Sequence, residues 1–181
     1  MAGLSWPLEI NRIRGAITNN AYGMVRNGGA KPHQGWDLEA APGTPCYAIA
    51  DGKIVWANDL GNFGLTVILE FQHRGRTLYA SYAHLMSHYV YREKQVTRGD
   101  MLGRTGQSGN ATGQPRREAH LHFGIHTIER PLKWPTGWVD PAQLYGVTPI
   151  NSVFIERFDQ SLKVRGAAGL LVPGVNVRER E

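Results

Sequence analysis

Two histidines separated by one residue, His120 and His122, stand at the head of an apolar segment that predicts a strand over residues 121–127. Side chains two positions apart on a strand point to the same face, about 6.5–7 Å from each other. One of two such imidazoles can bind a metal ion while its neighbour acts as an acid, a base or an electrostatic group. Pairs of this kind also occur among ordinary core and surface histidines, so the spacing alone only suggests a site.

The segment from His33 to Asp37 holds a second pair of possible ligands. Pro32 before it and Gly35 within it oppose a regular helix, but a bent segment can turn the two side chains toward one point. With one nitrogen of the histidine pair they would form a set of two histidines and one aspartate. Three protein ligands with an open fourth position are typical of a catalytic zinc site. Imidazole with carboxylate suits zinc better than Mg²⁺ or Ca²⁺, which prefer all-oxygen shells.

A third imidazole, that of His84, ends a strand predicted over residues 77–84. Taken alone, it is explained equally well as a surface histidine at a strand end. His126 could share the strand face of His122, but we interpret it as a structural histidine. A single site therefore requires a fold that brings segments far apart in the sequence together.

The elements that must position these side chains are predicted to be strands. The chain has 181 residues with 22 glycines and 10 prolines, which is typical of a turn-rich β protein. A succession of apolar segments predicts an antiparallel sheet or a β-sandwich with few short helices. Cys46–Ile49 and Lys53–Ala57, joined through Asp51-Gly52, have the pattern of a β-hairpin. The other clear strand segments are residues 65–71 and 77–84, paired around His73-Arg74-Gly75, then 101–104 and 121–127.

The C-terminal part gives weaker signals. Residues 139–145 predict one helical turn, with Asp140 as N-cap and Pro141 at the first helical position. Beyond it, residues 153–158 and 162–164 could form strands.

Composition limits the partners. Twenty basic against 15 acidic residues give a net charge of +5 and a pI near 9.6, which indicates an anionic partner such as nucleic acid, a membrane surface or cell wall. The basic residues are scattered without a recognisable binding motif, so nucleic acid is not expected. Apolar stretches are shorter than the roughly 20 residues that span a bilayer, and the N-terminus shows no secretory signal. The single cysteine, Cys46, excludes an intrachain disulfide and is interpreted as a buried core residue.

Over residues 22–145 the sequence resembles the lysostaphin-like (LytM-type) zinc endopeptidases that cut peptidoglycan. The resemblance rests on a series of motifs that occur in the family's order. They are His33-Gln34-Gly35-Trp36-Asp37, Gly43-Thr44-Pro45-Cys46-Tyr47-Ala48 with Asp51-Gly52-Lys53-Ile54-Val55, Tyr82-Ala83-His84-Leu85, Val96-Thr97-Arg98-Gly99-Asp100 with Leu102-Gly103, and Gly109-Asn110-Ala111-Thr112-Gly113 ahead of His120-Leu121-His122-Phe123.

The resemblance implies a site and a fold. It implies that one Zn²⁺ is bound by His33, Asp37 and His122. It also implies that His84 and His120 form the catalytic pair, and the sequence leaves open which of them is the base. The implied fold is a β-sandwich like the duplicated hybrid motif, with long loops that form a substrate groove.

The resemblance also implies domain boundaries. We predict a zinc endopeptidase domain over residues 1–145 and a C-terminal extension over residues 146–181 that packs on or beside it.

Some positions depart from the family pattern. The family usually has glutamate where Gly124 stands, so we expect a changed packing or groove there. Residues 114–119 are inserted ahead of the histidine pair, either as a solvated loop or as a groove wall whose arginines meet a carboxylate of a stem peptide. The candidate substrate-binding residues are Tyr22, Arg26, Asn110, Arg116 and Arg117.

The resemblance implies a monomeric enzyme that hydrolyses peptide cross-links of bacterial peptidoglycan. We expect D-alanyl–diamino acid cross-links, although no residue excludes the glycine bridges that other family members cut. The missing signal favours delivery to the periplasm or wall of a target cell, as a secretion-system effector with a cognate immunity protein or as a lysis enzyme. Alternatives are a phage endolysin, a chain shortened by loss of its signal, or a non-catalytic wall-binding or regulatory relative.

Overall fold

The computed structural model describes residues 3–130 and 133–157, and the backbone of residues 175–178. In this part of the chain one α-helix is present, α1 (Ala142–Tyr145), and the predicted mostly β fold is confirmed. The strands are β1 (Ile10–Asn11), β2 (Gly23–Arg26), β3 (Lys31–His33), β4 (Trp36–Glu39), β5 (Pro45–Tyr47), β6 (Gly52–Asp59), β7 (Leu65–His73), β8 (Arg76–Ala83), β9 (Leu85–His88), β10 (Gln95–Val96), β11 (Met101–Thr105), β12 (His120–His126), β13 (Trp138–Val139), β14 (Val153–Glu156) and β15 (Val175–Arg178). Short 3-10 turns cover Arg14–Ala16, Thr18–Asn20, Asn27–Gly29, Gly61–Phe63, Gly109–Ala111 and Arg116–Glu118.

The largest sheet has seven strands in the order β10-β6-β7-β8-β12-β13, with β4 also paired to β12. All of its strand pairs are antiparallel. β12 pairs with β8 along one edge, and with β4 and then β13 along the other. The central strand of the predicted site is therefore held on both sides. A second antiparallel sheet has the order β5-β11-β9, and β2 pairs with β3.

The hairpin predicted between residues 46–49 and 53–57 is wrong. β5 pairs with β11, whereas β6 pairs with β7 and β10, so the two neighbouring segments belong to different sheets. Gly52 has no positive φ, and a Cβ on it would lie 2.0 Å from the carbonyl oxygen of Glu70. This glycine therefore allows β6 and β7 to approach closely and does not form a hairpin turn.

The hairpin predicted around His73-Arg74-Gly75 is confirmed. Arg74 and Gly75 have φ angles of 51° and 76°, and His73 pairs with Arg76 across the turn. Two central residues with positive φ match the twist of the flanking strands. The hairpin joins β7 to β8 and so places the end of β8 beside β12.

The period of two residues along β12 separates core from site. Leu121, Phe123 and Ile125 are fully buried in the hydrophobic core. His120 and His122 alternate with them and therefore lie on the other face of the strand. The core also holds large side chains of the neighbouring elements, including Trp36, Tyr82, Leu69, Leu102 and the buried thiol of Cys46.

The segments on either side of the motif region pack on one another. Trp6 stacks with Tyr145 and Phe154 at ring-centroid distances of 4.4 and 4.6 Å, and its backbone N–H donates to the Glu156 carboxylate. β1 pairs with β14, which confirms the strand predicted at residues 153–158. The first residues of the chain are therefore tied to the segment that follows α1. The strand predicted at residues 162–164 lies outside the described residues.

The predicted helical turn is confirmed as α1, which follows Asp140 and Pro141. The backbone N–H of Ala142 donates to the Asp140 carboxylate at 2.9 Å, and Gly146 ends the turn with a φ of 73°. The division of the chain at residue 145 stays a prediction. Among the described residues, no helix has the length and apolarity that crossing a bilayer requires.

Candidate active site

Strand pairing brings the predicted metal ligands together. His122 of β12 lies opposite Asp37 of β4 in the antiparallel register. Gly35 connects β3 to β4 across the face of β12, where a Cβ would lie 2.3 Å from the carbonyl oxygen of Phe123. Since only glycine fits there, the chain can fold tightly over β12 and direct His33 and Asp37 to the same point.

Three ligand atoms converge at this point. Nε2 of His33 lies 3.0 Å from Oδ1 of Asp37 and 3.2 Å from Nδ1 of His122, and Nδ1 of His122 lies 2.9 Å from Oδ1 of Asp37. Zinc bonds of about 2.0–2.1 Å in tetrahedral geometry require ligand atoms about 3.3 Å apart. The set of two imidazoles and one carboxylate, all buried, therefore fits zinc in both donor type and spacing.

The hydrogen bonds of His33 strengthen this fit. Its Nδ1 lies 2.8 Å from the carbonyl oxygen of Ala21, to which it donates. The ring therefore directs Nε2 toward Asp37. Burial lowers the pKa of His122 to about 3, so this ring is neutral at pH 7. Both rings present a nitrogen to Oδ1 of Asp37, which is the arrangement that a bound zinc ion would require.

Asp37 stays ionised although it is 1% exposed. Burial alone would raise its pKa, but hydrogen bonds from His122 and His33, and the charges of His33 and His120, hold the pKa well below its ordinary value. On the other side of the carboxylate, Nη2 of Arg26 donates to Oδ2 at 2.6 Å. This ion pair leaves Oδ1 directed at the histidines.

The two predicted catalytic histidines flank the ligands. The rings of His84 and His120 are 5.1 Å apart, and Nε2 of His120 lies 3.5 Å from Oδ1 of Asp37. Nδ1 of His84 donates to the carbonyl oxygen of Ser108 at 3.0 Å, and Nδ1 of His120 donates to that of Glu118 at 2.8 Å. Both rings therefore keep Nε2 as the nitrogen available for proton transfer.

His84 is held in an unusual state. Its φ of 60° lies in the left-handed region, which for a residue other than glycine costs on the order of 1 kcal/mol or more. The backbone N–H donates to the carbonyl oxygen of Phe63 at 2.9 Å and helps to hold this conformation. Burial, and then repulsion from His120, lower the pKa of His84 to about 4, so the ring is neutral at pH 7.

A polar cleft of about 480 Å³ opens over these residues. Of the five predicted substrate-binding residues, Arg26 and Asn110 line it, whereas Tyr22 packs against Trp134 with ring centroids 4.9 Å apart. Arg116 and Arg117 are exposed on their 3-10 turn and do not line the cleft. The lining residues are Arg14, Asn19, Asn20, Arg26, Asn27, His33, Gln34, Asp37, Asn62, Phe63, His84, Asn110, Gln114, His120 and His122.

Two of these lining residues, and two backbone groups behind them, had no signal in the sequence. Arg14 and Asn20 lie upstream of every motif, and the carbonyl groups of Ser108 and Glu118 orient histidines through backbone atoms that any residue type carries. Their roles follow from the tertiary fold alone.

Gly124 and His126 complete the histidine face of β12. A Cβ on Gly124 would lie 2.8 Å from both Oγ of Ser81 and the ring of Trp138. The packing change expected at this position is therefore the ring of Trp138, which lies against the glycine. His126 is fully buried, stacks on Tyr79 and donates from Nδ1 to the carbonyl oxygen of Ile128. It lies outside the cluster, in agreement with a structural histidine.

Comparisons with known proteins agree with this geometry. A family model described as peptidase family M23 matches residues 31–134. The chain is 34% identical to the peptidoglycan DD-endopeptidase ShyA of Vibrio cholerae over 101 residues. These residues are 56% of this chain and 22% of that protein. The chain is 33% identical over 139 residues to the cell division protein DipM of Caulobacter vibrioides, 76% of this chain and 20% of that protein. The chain thus spans about a fifth of the length of these curated relatives.

Among solved structures, the catalytic domain of the antimicrobial peptidase lysostaphin from Staphylococcus simulans is similar. The superposition has a TM-score of 0.55 with 28% sequence identity, and covers 71% of this chain and 88% of that domain.

Proposed function

This chain belongs to peptidase family M23, and we propose on that basis that it is a zinc-dependent endopeptidase that hydrolyses peptide cross-links of bacterial peptidoglycan. The observation that supports this most is the buried set of His33, Asp37 and His122 beside the pair of His84 and His120, at the base of an open polar cleft. The similarity to a DD-endopeptidase favours D-alanyl–diamino acid cross-links over glycine bridges as the substrate.

We propose His33, Asp37 and His122 as the ligands of one zinc ion per chain. When bound, zinc lowers the pKa of a water molecule toward about 7 and polarises a carbonyl group. The charge of Asp37, fixed by Arg26, holds the ion, and the surrounding burial strengthens that attraction.

His84 and His120 are proposed to act as general acid and general base in cleavage of the scissile bond. Each ring has its Nδ1–H tied to a backbone carbonyl, so a neutral Nε2 can accept a proton and the resulting cation can stabilise negative charge or return the proton to the leaving amine. We propose them as a pair, because neither their distances nor their hydrogen bonds separate the base from the acid.

The predicted substrate-binding residues differ in how close they lie to the cleft. Arg26 and Asn110 line the cleft and are proposed to contact substrate. Tyr22 packs against Trp134 and is not among the lining residues, so a contact with substrate is less supported there. For Arg116 and Arg117, exposure favours the solvated-loop interpretation. We further propose that residues 1–145 form the endopeptidase domain, with residues 146–181 as an extension that packs on or beside it.

The test combines metal analysis with digestion of purified sacculi. We expect about one zinc per chain and release of muropeptides cut between D-alanine and the diamino acid, identified by mass. His122→Ala should lose both zinc and activity, whereas His73→Ala, at a turn far from the cleft, should keep both. Sacculi that remain intact would refute the endopeptidase, and a metal-free variant that still cuts would refute its dependence on zinc. Binding to sacculi without cleavage would instead support a wall-binding relative.

We also propose that the protein acts in the periplasm or wall of a target cell as a delivered effector or lysis enzyme, and that it works as a monomer. Its net charge of +5 suits an anionic wall polymer. Expression with a periplasmic signal in a Gram-negative host should lyse cells only while His33 and His122 are intact. Protection by the product of a neighbouring gene would identify an immunity protein and distinguish an effector from an endolysin.

A further inference from the structure

An arginine of the N-terminal segment reaches the loop in front of the catalytic strand. Arg14, in the 3-10 turn Arg14–Ala16, donates from Nη1 to the carbonyl oxygen of Glu118 at 2.8 Å and to the Glu118 carboxylate at 2.6 Å. The two residues are 104 positions apart in the sequence. The contact therefore joins the start of the chain to the residue that lies two positions before His120.

The same carbonyl oxygen orients the ring of His120. It accepts a hydrogen bond from Nδ1 of His120 at 2.8 Å, so one acceptor serves both the guanidinium and the imidazole. This bond fixes the tautomer of the ring and turns Nε2 toward Asp37. Any movement of the Glu118 peptide group is consequently passed directly to the nitrogen that the proposed reaction uses.

The loop that carries Glu118 has little else to fix it. Residues 112–117 are exposed, and their hydrogen bonds run to residues 107–111 or within the loop. Arg14 itself is well held, because its Nη2 donates to Oδ1 of Asn20 at 3.3 Å and its carbonyl oxygen accepts from Nδ2 of Asn20 at 2.8 Å. A well-held residue thus fixes an exposed loop at the point where the loop meets the proposed active site.

We infer that Arg14 is a positioning residue for catalysis: by holding the peptide carbonyl of Glu118, it fixes the tautomer and direction of His120. This inference rests on the proposed endopeptidase function for its kinetic readout. It also means that the catalytic arrangement needs residues upstream of the segment 31–134 that the family model matches.

A direct role in substrate binding fits Arg14 less well. Its side chain is 19% exposed, and its Nη1 and Nη2 donate to Glu118 and Asn20. Arg26, by comparison, is 41% exposed and is the more accessible cation of the cleft. Loss of Arg14 should therefore change kcat and leave KM unaltered.

The experiment uses the zinc-loaded full chain with substitutions Arg14→Ala and Arg14→Met. The second keeps the length of the side chain without its donors, so that it remains informative if the first fails to fold. Arg14→Lys restores one donor and a charge. Arg12→Ala is the matched control, because Arg12 lies on the same segment and forms an exposed ion pair with Glu39.

We expect Arg14→Ala and Arg14→Met to lower kcat on the order of tenfold, since small errors in the placement of a reacting group have effects of at least this size. KM and zinc content should stay at the wild-type values, Arg14→Lys should recover most of kcat, and Arg12→Ala should match wild type. In ¹⁵N-labelled protein, the His120 ring should change from a single Nδ1-protonated tautomer to a mixture.

Other results would overturn the inference. An unchanged kcat and an unchanged His120 tautomer in both variants would show that Arg14 does not position the ring. A rise in KM alone would make it a substrate ligand, and loss of zinc in parallel with kcat would make it a support of the metal site. If the wild-type chain cuts no peptidoglycan, the proposed function fails, and the tautomer measurement still decides the inference.

Discussion

Asp37 is the residue on which the site depends most. One of its oxygens faces the nitrogens of His33, His120 and His122, and the other accepts from Arg26. A buried carboxylate is costly unless cations or hydrogen bonds surround it, so this environment is stable only because all the groups are present together.

We predict that Asp37→Asn abolishes zinc binding and activity while the protein still folds. Asparagine keeps the size of the side chain but removes the negative charge that attracts the ion, and it leaves Arg26 without its counter-charge. Zinc content should fall from about one per chain to a trace, and activity by at least about a hundredfold. Glu39→Gln, two residues further along β4 at an exposed ion pair, is the control and should keep both.

His126 gives a prediction about pH. Burial lowers its pKa to about 4, below the ordinary value of 6.5 that it regains on unfolding. As pH falls from 6.5 to 4 the unfolded chain therefore binds a proton that the folded chain does not, and stability is lost over this range, by about 3 kcal/mol for this group. Above pH 6.5 the group has no such effect.

The measurement is the free energy of unfolding in urea between pH 4 and pH 7. His126→Asn keeps a donor for the carbonyl oxygen of Ile128 but cannot titrate, so its stability should fall less steeply with acid than that of wild type. His88→Asn, at a partly exposed strand end, should follow the wild-type curve. Equal slopes for wild type and His126→Asn would contradict the prediction.

At the scale of elements, the register of β12 decides which side chains meet. Its pairing with β4 sets His122 opposite Asp37, and its pairing with β8 places Ala83, the residue before His84, across the other edge. A shift by one residue would move both histidines of β12 into the core. The proposed metal site and the hydrophobic core are therefore specified by the same strand pairing.

We predict that Gly35→Ala disturbs the site through the backbone. The new Cβ would lie 2.3 Å from the carbonyl oxygen of Phe123, so the β3–β4 connection must move away from β12. We expect a loss of stability of about 2 kcal/mol, as in other overpacked positions, and weaker zinc binding because His33 and Asp37 separate from His122. Urea unfolding and zinc titration measure the two effects.

Gly3→Ala is the matched control for that substitution, because no atom lies within 4 Å of its Cβ position. It should leave stability and zinc affinity at wild-type values. If Gly35→Ala behaves in the same way, the close passage of the chain over β12 does not hold the ligands together.

At the scale of the whole molecule, the segments outside the matched residues 31–134 form part of the folded unit. Trp6 lies 1% exposed among Trp36, Tyr145 and Phe154, and so connects the N-terminal segment, the core and the segment beyond α1. The N-terminal segment then continues to Arg14 at the cleft. If Arg14 positions His120 as inferred above, packing at a distance from the proposed metal site supports this histidine.

We predict that Trp6→Ala destabilises the protein by about 3–5 kcal/mol, because it removes a large buried side chain and leaves a cavity. Thermal unfolding should show a clearly lower midpoint. Trp56→Ala, a partly buried tryptophan that contacts Arg130, should cost less. Equal costs would indicate that the junction around Trp6 does not hold the terminal segments.

The sequence alone determined the general fold and the family, and it named the candidate residues of the site. Ligand types were readable because a zinc site needs imidazole and carboxylate side chains, and β structure because turns and apolar segments alternate along the chain. The motif around His33 and Asp37 and the pair of His120 and His122 were recognisable since their spacing along strands is local. The family they resemble is the one that the comparisons show.

Tertiary structure decided what lies between distant segments. The sequence could not show that β5 pairs with β11 and not with β6, because both pairings satisfy the same local pattern. Nor could it indicate Arg14, since Glu118 lies 104 residues away and the group that orients His120 is a backbone carbonyl that any amino acid would provide. The residue types in a sequence reveal which side chains could do chemistry. The backbone groups that orient those side chains are brought to them only by long-range packing.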